Sequence, residues 1–96
     1  MVDYADELIR GVKARVKEID AVLQSASQHW KVERMSLVDR NVLRVAVFEM
    51  KYSTDPVKPS IAINEAVDIA KRFGSTESGS FVNGLLDQAR KQNAWE

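Results

Sequence analysis

The sequence lacks cysteine altogether and has one histidine among its 96 residues. Without cysteine the chain can form neither a disulfide framework nor a thiolate metal site, which is compatible with a reducing compartment. The single histidine, His29, has no second histidine for a zinc site and no cysteine to activate as a nucleophile. We therefore predict no metal and no cofactor, and we interpret His29 as an ordinary turn residue.

Long apolar segments and a net charge are also lacking. The longest apolar run, Val45 to Phe48, is far below the roughly 20 residues that cross a bilayer, and no secretory signal is apparent, so we expect a soluble, cytoplasmic protein. Fourteen basic residues balance fourteen acidic ones, so the chain lacks the positive field of a self-sufficient nucleic-acid binder. Common phosphate-binding and nucleophile motifs are missing as well, and we predict that the protein is not an enzyme.

What the sequence does contain is helical periodicity. Apolar residues in steps of three or four across positions 2–23 predict one long amphipathic helix, in which Gly11 would permit the close approach of a packing neighbour. Ser36 and Asp39 have the spacing of a capping box. They predict the start of a central, largely buried helix that ends at residue 51 or 52.

The second half of the chain predicts two more helices. Both prolines lie in the segment 53–59, which predicts a loop because proline restricts the preceding residue and donates no hydrogen bond. A third helix should be capped by Ser60 and end at Gly74, and a fourth should be capped by Thr76 or Ser78 and fray in its polar last turns. Residues 1–96 thus predict a single all-α domain, a compact bundle of about four main helices.

Basic residues share helix faces at two places. Arg40 and Arg44 are four positions apart on the central helix, and Arg10, Lys13 and Lys17 form a row on the first. Either group could contact phosphate. A solvated face is the better interpretation, since acidic residues lie close enough to screen or pair with these charges.

Other polar and aromatic residues have structural interpretations that compete with binding. Trp30 is interpreted as a packing anchor rather than a base-stacking platform. Asn64, near the start of the third helix, is interpreted as holding the preceding loop or the end of a neighbouring helix rather than contacting a ligand, because a buried unpaired amide is costly. Asn83 and Gly84 fit close helix packing at least as well as contact with RNA.

Three segments stand out together, in this order: Trp30 and Arg34 with Asp39–Glu49, then Ile63–Gly74, then Phe81–Asp87. They resemble the NusB family of bacterial transcription antitermination factors. The resemblance runs roughly from Tyr4 to Ala89 and begins in the middle of the family's usual length. We therefore expect the C-terminal portion of a longer protein, without the family's arginine-rich N-terminal half.

The resemblance implies a NusB-like C-terminal subdomain that takes part in the antitermination complex of RNA polymerase. Such a protein binds boxA RNA together with NusE, a ribosomal small-subunit protein, and promotes read-through of terminators in ribosomal RNA operons. The RNA-binding positions that the resemblance implies are Glu77, Phe81 and Asn83. The NusE-binding positions that it implies are Asp39, Arg40, Phe48 and Tyr52.

Two other functions stay open on the sequence. A similar helical unit serves as the accessory RNA-binding domain of an rRNA cytosine methyltransferase, and a helical interaction domain that binds only protein would show no dependence on RNA. An absent N-terminal half would also leave apolar faces bare. Since large bare apolar patches are rare on soluble monomers, we expect a homo-oligomer formed through those faces.

Overall fold

The helical periodicity is realised as five α-helices in a computed structural model that describes residues 3–95. No strand occurs in this part of the chain, so the prediction of an all-α fold is confirmed. A short 3-10 turn precedes the third helix and a π-helical turn follows it. In chain order the elements are α1 (Tyr4–Ala14), α2 (Val16–Ala26), the 3-10 turn (Val32–Arg34), α3 (Leu37–Val47), the π-helical turn (Phe48–Tyr52), α4 (Pro59–Phe73) and α5 (Ser78–Asn93).

The prediction of one helix over residues 2–23 is wrong, because α1 and α2 are separate helices that meet at Arg15. The backbone of Arg15 leaves the helical region, with φ −121° and ψ 19°. Beyond this break α2 turns its apolar stripe into the core, where Ile19 and Leu23 are fully buried. Helix α1 has no fully buried residue. Val2, the first residue of the predicted stripe, lies outside the described residues.

The start and the end of the central helix are confirmed. The Ser36 hydroxyl accepts a hydrogen bond from the backbone N–H of Asp39 at 3.1 Å, which satisfies one of the free N–H groups at the helix start. After α3 the helical segment continues as the π-helical turn, which ends at Tyr52. Phe48 and Glu49 in this turn are buried, so the central segment does form part of the core.

Helix α1 rests on the π-helical turn through two contacts. A Cβ atom added to Gly11 would lie 2.2 Å from a ring carbon of Phe48, so the predicted close approach at Gly11 is confirmed. The Tyr4 hydroxyl donates a hydrogen bond to the buried carboxylate of Glu49. Burial raises the pKa of Glu49 and also that of Tyr4, whose hydrogen bond to Glu49 acts in the same direction.

Helices α4 and α5 pack against each other as a hairpin, but their starts differ from the prediction. Helix α4 begins at Pro59 rather than after a Ser60 cap, since proline at the first helical position lacks only an N–H that would be unpaired anyway. Glu77 precedes α5 and makes no side-chain capping bond. Neither Thr76 nor Ser78 therefore acts as the predicted cap.

The ends of these two helices are well defined. Helix α4 ends at Gly74, as predicted. Helix α5 does not fray, because it continues to Asn93 and closes with Ala94 in the left-handed conformation, φ 55° and ψ 37°. The N–H of Trp95 then donates to the carbonyl of Arg90 at 3.0 Å, as in a Schellman motif, and the half-buried Trp95 side chain packs against the core.

The core lies between α2, α3, α4 and α5, with α1 at its edge. Its fully buried large side chains are Ile19, Leu23, Leu43, Val47, Val82 and Leu86. Among the described residues, no helix combines the length and the apolar character needed to cross a membrane.

Candidate RNA and protein interface

A hydrogen-bonded turn after α2 presents Trp30 to solvent. The carbonyl of Trp30 accepts hydrogen bonds from Ser27 Oγ at 2.6 Å and from Gln24 Nε2 at 3.1 Å. Gln24 Oε1 in turn accepts from the N–H of Val32 at 3.0 Å. The backbone around Trp30 is thus fixed while its side chain stays 60% exposed, so the interpretation of Trp30 as a packing anchor is wrong.

The first turn of α3 carries a carboxylate without a partner. Asp39 is 9% exposed, and its Oδ1 atom is buried without a hydrogen bond from any described residue. The capping box is therefore half formed, because Ser36 caps the N–H of Asp39 but the Asp39 side chain makes no return bond. A buried oxygen without a hydrogen-bond donor is unfavourable, and a basic side chain is the kind of group that would satisfy it.

Arg40, the next residue, is partly engaged. Its Nη1 atom donates to the carbonyl of Glu33 at 3.2 Å, which ties the start of α3 to the 3-10 turn. Its Nε atom is buried and has no hydrogen-bond acceptor among residues 3–95. Two consecutive residues, Asp39 and Arg40, thus each have a buried polar atom without a hydrogen-bond partner among residues 3–95.

The start of α5 supplies an acidic and an aromatic side chain. The loop before the helix is held by Ser78, whose buried hydroxyl accepts from the N–H of Ser75 at 2.9 Å. This bond fixes the entry of the chain into α5. Glu77 is exposed at the helix start and Phe81, one turn later, is half-buried. The helix therefore places a carboxylate and a ring on one edge.

These three elements enclose a shallow groove of about 220 Å³, here called the first groove. Three of the predicted positions meet in it: Glu77 and Phe81 from the RNA set, and Asp39 from the NusE set. The sequence resemblance alone assigned these residues to different partners. The residues that line the first groove are Trp30, Arg34, Met35, Ser36, Asp39, Ser75, Glu77, Ser78 and Phe81.

The remaining predicted positions lie apart from this groove. Asn83 is exposed but does not line it. Tyr52 is half-buried, with the Arg15 guanidinium 4.8 Å from the centre of its ring. Phe48 is only 5% exposed and packs against Gly11. The prediction of Phe48 as a surface contact is corrected, because a core side chain has no area to offer a partner.

The arginine pair predicted on α3 is divided between two roles. Arg44 forms a two-pronged ion pair with Asp20 of α2, both N–O distances being 2.8 Å. This hydrogen bonding raises the pKa of Arg44 further. Arg44 is thus engaged in joining α3 to α2, whereas Arg10, Lys13 and Lys17 remain exposed.

Sequence reasoning did not assign six of the nine lining residues to a site, among them Trp30, Arg34 and Ser75. Arg34 and Ser75 sit in a 3-10 turn and a loop, where no periodicity indicates direction. The exposure of Trp30 had one available signal: the tryptophan directly follows the polar run Ser27 to His29 instead of an apolar stripe. Polar neighbours on both sides of an aromatic residue are more typical of a surface position than of a core.

The fold and this groove define a class of protein: an all-α domain that presents aromatic and acidic side chains in a shallow groove. Among residues 3–95 no cluster of three potential metal ligands is present. The NusB family model matches residues 1–91. The chain belongs to the NusB family.

Individual relatives agree with this assignment. The chain is 57% identical over 91 residues to the transcription antitermination protein NusB of Bdellovibrio bacteriovorus, covering 95% of this chain and 67% of that protein. It is 48% identical to the Myxococcus xanthus protein of the same name, covering 91% and 61%. A solved structure of T. maritima NusB superposes with a TM-score of 0.84 at 42% identity, covering 92% of this chain and 61% of that one. The chain spans about half to two thirds of the length of such curated relatives.

Proposed function

We propose that this chain is a non-enzymatic module of a transcription antitermination complex that binds boxA-type RNA and NusE near RNA polymerase in the cytoplasm. The observation that carries the proposal is the first groove. In a NusB-family fold, it brings an exposed tryptophan, a half-exposed phenylalanine and a buried carboxylate without a partner to one place. The chain's relatives bear the name of antitermination proteins.

The RNA side of the proposal rests on Phe81 and Glu77. Single-stranded RNA is recognised through unstacked bases that lie on aromatic rings, and each such stack is worth about 1–3 kcal/mol. Phe81 offers a partly free ring at the start of α5. Glu77, exposed beside it, repels phosphate and so limits how tightly RNA is held. Asn83 is a further candidate for RNA contact. It lies outside the first groove, so only RNA that extends past the groove would reach it.

The NusE side rests on Asp39, with Arg40 and Tyr52 as further candidates. The Oδ1 atom of Asp39 is buried and receives no hydrogen bond from residues 3–95. A basic side chain of NusE that enters the first groove would pair with it in a water-poor setting, where a charge-assisted bond is strong. Because the same groove also holds Phe81, RNA and NusE would lie side by side on one surface.

The test is fluorescence anisotropy of labelled boxA RNA and a scrambled RNA, measured with this chain alone and with purified NusE at low and physiological salt. We expect selective boxA binding that NusE strengthens. Phe81→Ala should weaken it about tenfold. The control is Phe73→Ala, since Phe73 is 69% exposed on α4 and lines no groove described here. Equal binding of both RNAs by folded protein, with and without NusE, would contradict the proposal, and binding of neither RNA would favour a protein-only module.

The NusE contact is tested separately by calorimetry. Asp39→Asn removes the charge but keeps the backbone N–H that Ser36 caps. We expect a clear loss of NusE affinity with the thermal midpoint Tm unchanged, because the buried Oδ1 atom accepts no hydrogen bond that the substitution would remove. Unaltered NusE affinity would remove Asp39 from the interface.

We also propose a second copy of this chain as a partner, through the face between α1 and α3. This face contains a groove of about 610 Å³, called the α1 groove, and Ile9 on it is 56% exposed. The lining residues are Ala5, Leu8, Ile9, Val12, Lys13, Val16, Asn41, Arg44 and Val45. Sedimentation equilibrium should show concentration-dependent association that Ile9→Glu abolishes. Ile61→Glu, at a similarly exposed isoleucine outside the groove, should leave it intact, and a monomeric wild type would refute the proposal.

A further inference from the structure

A second groove continues the first one on the other side of Trp30 and Phe81. It has a volume of about 410 Å³ and lies between the turn 26–30 and one face of α5. Trp30 and Phe81 line both grooves and so stand between them. A strand that occupied the first groove would meet these two rings before it entered the second.

Gly84 forms part of the floor of the second groove. It lies in the interior of α5, where glycine is less favourable than alanine by about 1 kcal/mol. The usual reason for keeping such a glycine is close packing, but a Cβ added here would meet no atom within 4 Å. The predicted role of Gly84 in close helix packing is therefore wrong. The space that a side chain at position 84 would occupy is empty, and Gly84 lines the second groove.

The charges of the two grooves differ in a way that matters for a polyanion. The first groove contains the carboxylates of Asp39 and Glu77 and one guanidinium, that of Arg34. The second has no acidic side chain in its lining, and its polar side chains include those of Gln28, His29, Ser80 and Gln88. Phosphates are thus repelled less in the second groove, and amide and hydroxyl groups suit the edges of unpaired bases.

Trp30 lies where the two grooves meet, on a turn whose backbone is held by hydrogen bonds. Its carbonyl is held by Ser27 and Gln24, yet its side chain is 60% exposed. An indole exposed to this extent on a rigid turn offers a stacking face without the entropy loss of ordering a flexible loop. Together with Phe81 it supplies two rings for consecutive bases.

We propose that the second groove is an extension of the RNA site, in which single-stranded RNA stacks one base on Trp30 and passes over Gly84. This inference rests on the proposed function and adds to it a second stacking residue and a direction along α5. It also assigns a reason to the glycine in the helix: the bound strand occupies the space that a side chain would fill.

The first measurement uses tryptophan emission. The chain has two tryptophans, so Trp95→Phe leaves Trp30 as the only reporter. Titration with boxA RNA should quench its emission, because stacking on a base changes the indole environment. Trp30→Ala should weaken boxA binding about tenfold in anisotropy. Wild-type affinity in Trp30→Ala, with no emission change in the reporter protein, would overturn the inference.

The second measurement separates binding from folding. Gly84→Leu fills the groove with an aliphatic side chain and improves helix propensity, so we expect about tenfold weaker boxA binding together with an unchanged or higher Tm. Ala21→Leu is the matched control, because it adds a side chain at an exposed helical position that lines neither groove. If the wild type binds boxA and Gly84→Leu binds it equally well, this inference fails while the proposed function stands. If the wild type shows no selective binding, both fail.

Discussion

Helices α1 and α5 are both amphipathic, yet only one of them is built into the core. Helix α5 buries six residues, because α2, α3 and α4 surround it. Helix α1 has no buried residue, since it contacts mainly the π-helical turn and the edges of α2 and α3. An apolar stripe therefore shows which side of a helix is suited to burial, but the number of neighbouring elements decides how much is buried.

The difference also separates two kinds of surface. The first groove, at the start of α5, carries fixed polar and aromatic groups on a well-packed support. The α1 groove is mostly apolar and belongs to a helix with few anchors. We propose nucleic acid and NusE at the first and a second copy at the other. The four predictions below test this contrast.

The largest effect is expected from truncation of core side chains. Leu86→Ala on α5 removes a fully buried side chain and should lower the free energy of unfolding by about 2–5 kcal/mol. Ile9→Ala on α1 should lower it by about 1 kcal/mol or less, because Ile9 is more than half exposed. Urea denaturation measures both. Comparable losses in a dilute sample would mean that α1 is covered as fully as α5, and the contrast would be lost.

Replacing glycine by alanine should lower the stability of the protein when it is done in α1 and raise it when it is done in α5. Gly11→Ala places a methyl group 2.2 Å from the Phe48 ring, so we expect α1 to be pushed outward and stability to fall by about 1–3 kcal/mol. Gly84→Ala meets no neighbour and should raise stability by up to about 1 kcal/mol through helix propensity. Thermal unfolding followed by circular dichroism decides the signs. Stabilisation by Gly11→Ala would show that α1 does not rest on Phe48 in solution.

The polar anchor of α1 should make stability depend on pH. Burial raises the pKa of Glu49, so the native state holds this proton more tightly than the unfolded chain, and stability falls as pH rises from about 4.3, the unfolded value, through the raised native pKa. Glu49→Gln should flatten this dependence and raise Tm at neutral pH, since the amide oxygen can still accept from Tyr4. Glu65→Gln, which removes a nearby charge that also raises the Glu49 pKa, should act more weakly. An unchanged pH profile in Glu49→Gln would disprove this role.

The smallest effect is expected at the end of α5. Ala94 holds a left-handed conformation that glycine adopts without steric strain. Ala94→Gly should therefore raise the free energy of unfolding by up to about 1 kcal/mol, measured in urea. Ala89→Gly, in the buried helical part of α5, should do the reverse. Destabilisation by Ala94→Gly would indicate that the helix end is not closed in this way.

Much of the fold could be predicted locally. The cap at Ser36, the proline loop and the stop at Gly74 each depend on backbone chemistry within a few residues. The structure has the cap and the stop as predicted, whereas the loop ends one residue earlier than predicted because Pro59 begins α4. The break at Arg15 could not be predicted, because the apolar spacing continues through it without a change of phase. The closed end at Ala94 also escaped prediction, since the contact of Trp95 with the core is a tertiary one.

The candidate site divides in the same manner. The resemblance selected Glu77, Phe81 and Asp39, but nothing local indicated that the first turns of α3 and α5 would face one groove. Phe48 was assigned to the surface although it packs on Gly11, because an aromatic residue in a helix has the same local signal in either place. Gly84 was misread for the same reason, since only the neighbouring atoms tell whether a glycine is crowded or open.

The sequence by itself determined the helical class, most of the turns and the family of this protein, because capping, proline restriction and apolar periodicity act between residues close along the chain. Only the tertiary structure decided that α1 and α2 separate, that α5 is enclosed while α1 is half open, and that Trp30 stands free beside Phe81. These properties depend on which distant atoms occupy the space around a side chain. Packing and solvent exposure are set by that space, not by the order of neighbours in the chain.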